Sequence, residues 1–159
     1  MKLKEFWALV ISIVLAQLAG GLGSLFTMPK IPTWYAALVK PPLNPPSWVF
    51  GPVWTTLFVF MGVAAFLVWR KHEVATKQRQ EALRLYGLQL VLNTIWSFLF
   101  FGLQNPGAAF GEIIILWLAI ALTIRVFSRI SKLAAWLMAP YLAWVTFASY
   151  LTLMIWFLN

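Results

Sequence analysis

Apolar residues fall in five long runs along this chain, and the breaks between them are short and either charged or rich in proline. The runs cover about residues 6–26, 45–69, 83–103, 108–127 and 133–158. Each is near the roughly 20 apolar residues that a helix needs to cross a bilayer. The pattern predicts an all-α membrane protein: a five-helix transmembrane bundle with a structured loop between helices 1 and 2. It forms one domain, residues 1–159. Lys2 and Lys4 before the first run also fit the start of a signal peptide. The run's length, and its merging into the segment that follows, favour an uncleaved span.

The first break differs from the others. Residues 27–44 lead into WYAALVKPPLNPPSWVFGPVWT, Trp34 to Thr55, which cannot be one ordinary helix. Pro41, Pro42, Pro45 and Pro46 lack amide protons and fix their own φ. Asn44 is a candidate N-cap, with Pro45 and Pro46 in the first turn, where missing N–H groups matter least. Thr33 is a candidate cap for a short helix over Trp34 to Leu38. Pro52 and Pro140 fall inside the second and fifth runs and are expected to bend them. The reading is a folded lid over a helix mouth bearing Trp48, Phe50, Trp54 and Phe58.

Polar residues inside the runs mark where protein, rather than lipid, is met. Gln89, Asn93 and Ser97 stand at i, i+4, i+8 and form one stripe. Trp96 lies within about 20° of the Gln89 direction. Such groups are costly in lipid unless paired, so the stripe faces protein or a cavity. For Asn93, interhelical hydrogen bonding and ligand anchoring are equally balanced. In the fifth run Trp144, Ala148 and Leu151 share a face, with Thr152 beside them. An indole next to alanine leaves room for a flat guest, and simple helix packing explains it too. In the first run Ala16, Gly20 and Ser24, and Ala19 and Gly23, form small-residue faces. Packing within one bundle is favoured over a dimer seam. Glu112, one to two turns into the fourth run, reads more readily as a helix-dipole partner near the interface than as a pocket residue.

Composition closes off most alternatives. The chain is 62% hydrophobic and 10% charged, against about 25% charged in soluble domains. It has no cysteine and one histidine, His72, in a charged loop. Thiolate metal sites and intramembrane His ligation are therefore not expected, and no metal is assigned. No Ser/His/Asp set, carboxylate pair or phosphate loop is available. Net charge is +8, but the basic residues sit between apolar runs, so nucleic acid is not an expected partner. Lys2, Lys4, Arg70, Lys71, Lys77, Arg79, Arg84, Arg125, Arg129 and Lys132 fall on one side, and only Lys30 and Lys40 on the other. The positive-inside rule places the N-terminus in the cytoplasm and the lid outside, most simply in the cell membrane. Trp7, Trp69, Trp136 and Trp156 near run ends fit an interfacial belt.

The motif WYxxLxKPxxxPPxWVFGPVW, with LNTIWSFLFFG in the third run and APYLAWVTFASYL in the fifth, resembles the tryptophan-rich sensory protein / translocator protein family (TspO/MBR, which includes the peripheral-type benzodiazepine receptor). The resemblance covers nearly the whole chain. It implies porphyrin and haem-like ligands, synthetic isoquinoline carboxamide and benzodiazepine ligands, and often a homodimer. Tyr35, Trp48, Trp54, Asn93, Trp96, Trp144 and Ala148 match the family's pocket by position. Ring stacking is expected of the Trp residues, a hydrogen bond of Asn93, and lid closure of Tyr35. With Pro45, Phe58, Gln89, Ser97 and Leu151 these make the candidate ligand-binding set. Thr152 stands where relatives commonly have Asn. Tyr150 has no basic residue after it, so the sterol pattern of animal members is incomplete.

Three functions follow as expectations. The first is a membrane-embedded tetrapyrrole-binding protein with no obligatory cofactor. The second is light-dependent porphyrin breakdown, which the resemblance implies for some bacterial relatives, with Trp54 and Trp144 as photochemical candidates. The third is a transporter or sensory scaffold for small apolar ligands, sterol-like lipids included. Five spans without an internal repeat argue against an alternating-access carrier.

Overall fold

In a computed structural model, which describes residues 2–159, the chain is a bundle of five helices, each long and apolar enough to cross a membrane. These are α1 (Leu3–Thr27), α2 (Ser47–Trp69), α3 (Thr76–Ser97), α4 (Pro106–Ser128) and α5 (Lys132–Leu158). Beyond Ser97 the third span continues in wider helical turns, Phe98–Gly102. The protein is an integral, multi-pass membrane protein.

Helix ends follow local chemistry. Asn105 caps α4 by accepting from the Ala108 amide at 3.0 Å, with Pro106 in the first turn. Ser131 caps α5 by accepting from the Ala134 amide at 3.3 Å. Gln104, just before the α4 cap, has φ 53°, the left-handed region that closes the tight connection from the third span.

Three expected boundaries shift. Asn44 does not cap α2. That helix begins at Ser47, with Pro46 extended at φ −55° and ψ 143°. The reason is Pro46 itself, whose ring disfavours helical backbone at Pro45, so Pro45 cannot occupy a first turn. Thr33 lies inside a wide helical turn, Ile31–Tyr35, and its hydroxyl donates to the Pro29 carbonyl at 3.0 Å rather than capping. The third span begins at Thr76, well before residue 83. Its first two turns are polar but still helical. Arg79 reaches back to the Trp69 carbonyl and to His72 Nδ1, each at 2.9 Å, and ties that extension to the end of α2.

Glycine sets how closely α1 and α2 approach. A Cβ on Gly62 would lie 2.6 Å from the Ile13 Cα, so the two backbones touch there. The Ser12 hydroxyl donates to the Gly62 carbonyl at 2.7 Å across the same contact. Ala16 and Gly23 are buried and Gly20 lies against the Phe58 ring. The small-residue faces of α1 are thus used within the chain. The core continues through Met61, Val68, Ile113, Leu116, Ile120, Met138 and Tyr141, all essentially inaccessible.

Glu112 is buried, not interfacial, and neither carboxylate oxygen has a hydrogen-bond partner. It stands beyond the first turn of α4, where helix-end electrostatics have faded. Trp7, Trp136 and Trp156 are exposed near helix ends, as an interfacial belt requires.

Candidate functional site

Toward the lid, α1 and α2 part. The last polar bridge between them is Gln17 Nε2 donating to the Thr55 carbonyl at 2.9 Å. Past it, Gly21 and Gly51 have nothing within 4 Å of where a Cβ would stand. The space so left is a cavity of about 510 Å³, within the range of small-molecule sites. Its exposed lining residues are Gly21, Met28, Ser47, Trp48, Gly51 and Thr55. All belong to α1, its cap or α2, so the open side lies between those helices.

The deeper wall is aromatic. Trp54 stacks on Phe58 with ring centroids 5.7 Å apart, and meets Tyr141 edge-on at 6.1 Å. Trp96 stacks on Phe100 at 5.1 Å. Trp144 meets Phe50 edge-on at 6.1 Å. Ala148, Leu151, Thr152 and Ile155 of α5 complete that side. Pro52 and Pro140 lie within α2 and α5, both of which contribute to the wall.

Polar groups are few and none is charged among the lining residues. Asn93 Nδ2 donates to the Tyr141 hydroxyl at 3.0 Å in the buried floor. The indole N–H groups of Trp96 and Trp144 have no protein partner. A buried donor without an acceptor costs about 1–3 kcal/mol, which a bound acceptor offsets.

The lid closes one end. Tyr35 is buried against Phe50, Phe100 and Phe101. Its hydroxyl donates to Asn44 Oδ1 at 2.9 Å. Asn44 thus serves the lid instead of α2. Burial pushes the Tyr35 phenol above its ordinary pKa, and the Asn44 bond only partly offsets this. Lys40 Nζ donates to the Ala36 and Leu38 carbonyls and lies 4.9 Å from the Tyr35 ring centroid.

Of the residues expected at a ligand site, Tyr35, Trp48, Trp54, Phe58, Asn93, Trp96, Ser97, Trp144, Ala148 and Leu151 line this one cavity. Trp48 stands at its rim, 74% exposed. Two do not line it. Gln89 is fully buried one turn deeper, its amide nitrogen 3.7 Å from Met61 Sδ. Pro45 belongs to the lid, where its carbonyl accepts from Asn44 Nδ2. Sequence reasoning missed the α1 side of the cavity, from Gln17 to Met28, and the rings of Phe100 and Phe101; Phe50, expected at the helix mouth, lines it as well. Gln17 was the available signal: a polar side chain within the first apolar run, one residue past Ala16.

The family model described as TspO/MBR family matches residues 11–157. This chain belongs to the TspO/MBR family. It is 46% identical to "Tryptophan-rich protein TspO" of Chlorobaculum tepidum over 98% of both chains. It is 43% identical to "Tryptophan-rich protein TspO" of Archaeoglobus fulgidus, over 95% of this chain and 96% of the relative. It is 38% identical to the human "Translocator protein", over 94% of this chain and 89% of the relative. Of the three tryptophans in the TspO/MBR signature stretch, Trp54 stands on the cavity wall and Trp48 at its rim, while Trp34 lies in the lid outside it.

Proposed function

We propose that this TspO/MBR protein binds a tetrapyrrole of the protoporphyrin type in the cavity beneath the lid. The observation that carries this is one uncharged hollow of about 510 Å³ lined by Trp54, Trp96 and Trp144 together with Asn93. Indole faces favour a flat, polarisable guest in offset or edge contact. Because no lining side chain is charged, the macrocycle belongs inside. Its carboxylates belong at the end of the rim where α1 stops and α2 starts, beside Met28 and Ser47, since burying an unpaired carboxylate is prohibitive. The same walls suit flat synthetic ligands, isoquinoline carboxamides and benzodiazepines among them.

Quenching of tryptophan fluorescence by protoporphyrin in detergent micelles tests the proposal. Trp54→Ala and Asn93→Ala are each expected to weaken binding by about tenfold, the scale of one lost aromatic contact or buried hydrogen bond. Wild-type affinity in both variants, with melting curves intact, would overturn the assignment of this cavity.

A second reading is light-dependent porphyrin breakdown, favoured by Trp54 and Trp144 lining the same hollow. Porphyrin held there, illuminated in the presence of oxygen, should lose its Soret band faster than porphyrin in empty micelles. Bleaching at the micelle rate removes this reading and leaves binding untouched. We place the N-terminus in the cytoplasm of a cell membrane on loop charge. Homodimerisation uses surfaces other than the α1 glycine face buried in the bundle.

A further inference from the structure

The lid, residues 28–46, makes nearly all its hydrogen bonds internally or to the adjoining ends of α1 and α2. Tyr35 bonds Asn44, Lys40 bonds the Ala36 and Leu38 carbonyls, and Thr33 bonds the Pro29 carbonyl. Among the described residues, one side chain from a distant helix hydrogen-bonds to it. Asn159, beyond the last turn of α5, accepts from the Val39 amide through Oδ1 at 2.9 Å. It donates through Nδ2 to the Val39 carbonyl, also at 2.9 Å. The same Nδ2 donates to the Ile155 carbonyl at 2.9 Å, which orients the amide on its own helix.

We propose that Asn159 is a latch that holds the lid shut over the cavity by pairing with both backbone groups of Val39. The lid has two anchors of different kinds. Trp34 and Tyr35 are held by packing on Phe100 and Phe101. Leu38 packs partly buried on the same cluster, but the next residue, Val39, is exposed. Between this side of the lid and the ends of α4 and α5 lies a second cavity of about 280 Å³, walled by Trp34, Leu38, Gln104, Trp156 and Asn159. Across that loosely filled seam the amide pair holds Val39, which has no buried side chain to anchor it. Only a side chain with one acceptor and two donors at this length makes all three bonds: aspartate loses both donors, and alanine loses everything. The latch also joins lid to wall, because Ile155 both lines the main cavity and supplies the carbonyl that steadies Asn159.

The consequence for ligand exchange rests on the tetrapyrrole reading; the latch itself does not. Hydrogen exchange on the ligand-free protein in micelles tests the latch directly. In Asn159→Ala the amides of Leu38, Val39 and Asn44 are expected to exchange about tenfold faster, the scale of two lost exposed hydrogen bonds. Asn159→Asp, which sets an acceptor-only carboxylate against the Val39 and Ile155 carbonyls, should speed exchange at least as much as alanine. An unchanged melting curve shows that the bundle is intact. Faster exchange at Val39 alone, or at none of the three, overturns the latch. In a second arm, protoporphyrin dissociation from Asn159→Ala is followed by recovery of tryptophan fluorescence, and a similar acceleration is expected. If exchange speeds up while neither wild type nor variant binds protoporphyrin, the latch stands and the ligand assignment falls.

Discussion

The same two helices, α1 and α2, meet in opposite ways at their two ends. At Gly62 the backbones are in contact, with Ile13 where a side chain would go. Nearer the lid, Gly21 and Gly51 face open space. Glycine in a membrane helix is therefore no guide by itself to close packing. What separates the two ends is the ring content between the helices. At the closed end Ser12 and Ile13 face the smallest residue, whereas Trp54 and Phe58 stand in the gap at the other. The contact at the closed end holds the two helices together while the lid end stands apart.

The sharpest way to break this comparison is to make one substitution at both ends. Gly62→Ala places a methyl within 3 Å of backbone atoms that cannot swing aside. The expected loss is about 2 kcal/mol, typical of overpacking. Gly21→Ala meets nothing within 4 Å, and the gain in helix propensity predicts stabilisation of about 0.5–1 kcal/mol. Reversible denaturation of both variants in one detergent reads the two signs. Equal effects would mean that the open end is closed in solution.

Most of the fold could be read from the apolar runs, because five stretches of bilayer length admit few other architectures. The boundaries that shift share a cause: a neighbour overrides a local preference. Asn44 looks like a cap until Pro46 denies Pro45 a helical conformation. The charged stretch Thr76–Arg84 reads as an aqueous loop with a frayed helical entry, yet it is helical from Thr76 and Arg79 bonds it to the end of α2. At the site, side chains with strong chemistry were readable, and Trp54, Asn93, Trp96 and Trp144 all line the hollow. The α1 wall was not, because a glycine carries no mark of whether it faces a helix or a void. Gln89 and Asn93 share a stripe, but the cavity ends one turn short of Gln89, and periodicity gives direction without depth.

A second test sharpens the open end alone. Gly21→Phe puts a ring into the gap between α1 and α2 without striking any neighbour within 4 Å of the Cβ position. If that gap is the way in, protoporphyrin association slows by about one decade, within the range seen for mutants of a single interface. Dissociation should slow by the same factor, because exit retraces entry, while the melting temperature should change little. An unchanged association rate would place the entrance at the lid instead.

The smallest effect is expected above the open end, at Tyr35. Its hydroxyl is bonded to Asn44 and its ring is buried among Phe50, Phe100 and Phe101. Burial raises its pKa above the ordinary value of 10.0. The folded lid therefore holds the phenol proton more tightly than the unfolded chain does. That contribution is complete below about pH 10 and is lost as pH rises through the folded-state pKa. Tyr35→Phe removes the titrating group together with one hydrogen bond. At neutral pH the variant should be less stable by about 1 kcal/mol. As pH rises from 8 to 11, the gap between wild type and variant should narrow, because only the wild type has this proton to lose. Melting temperatures of the pair across that range measure the difference and cancel titrations common to both. A gap that stays constant would mean that the Tyr35 hydroxyl already meets water, and the lid would then be no seal on the cavity beneath it.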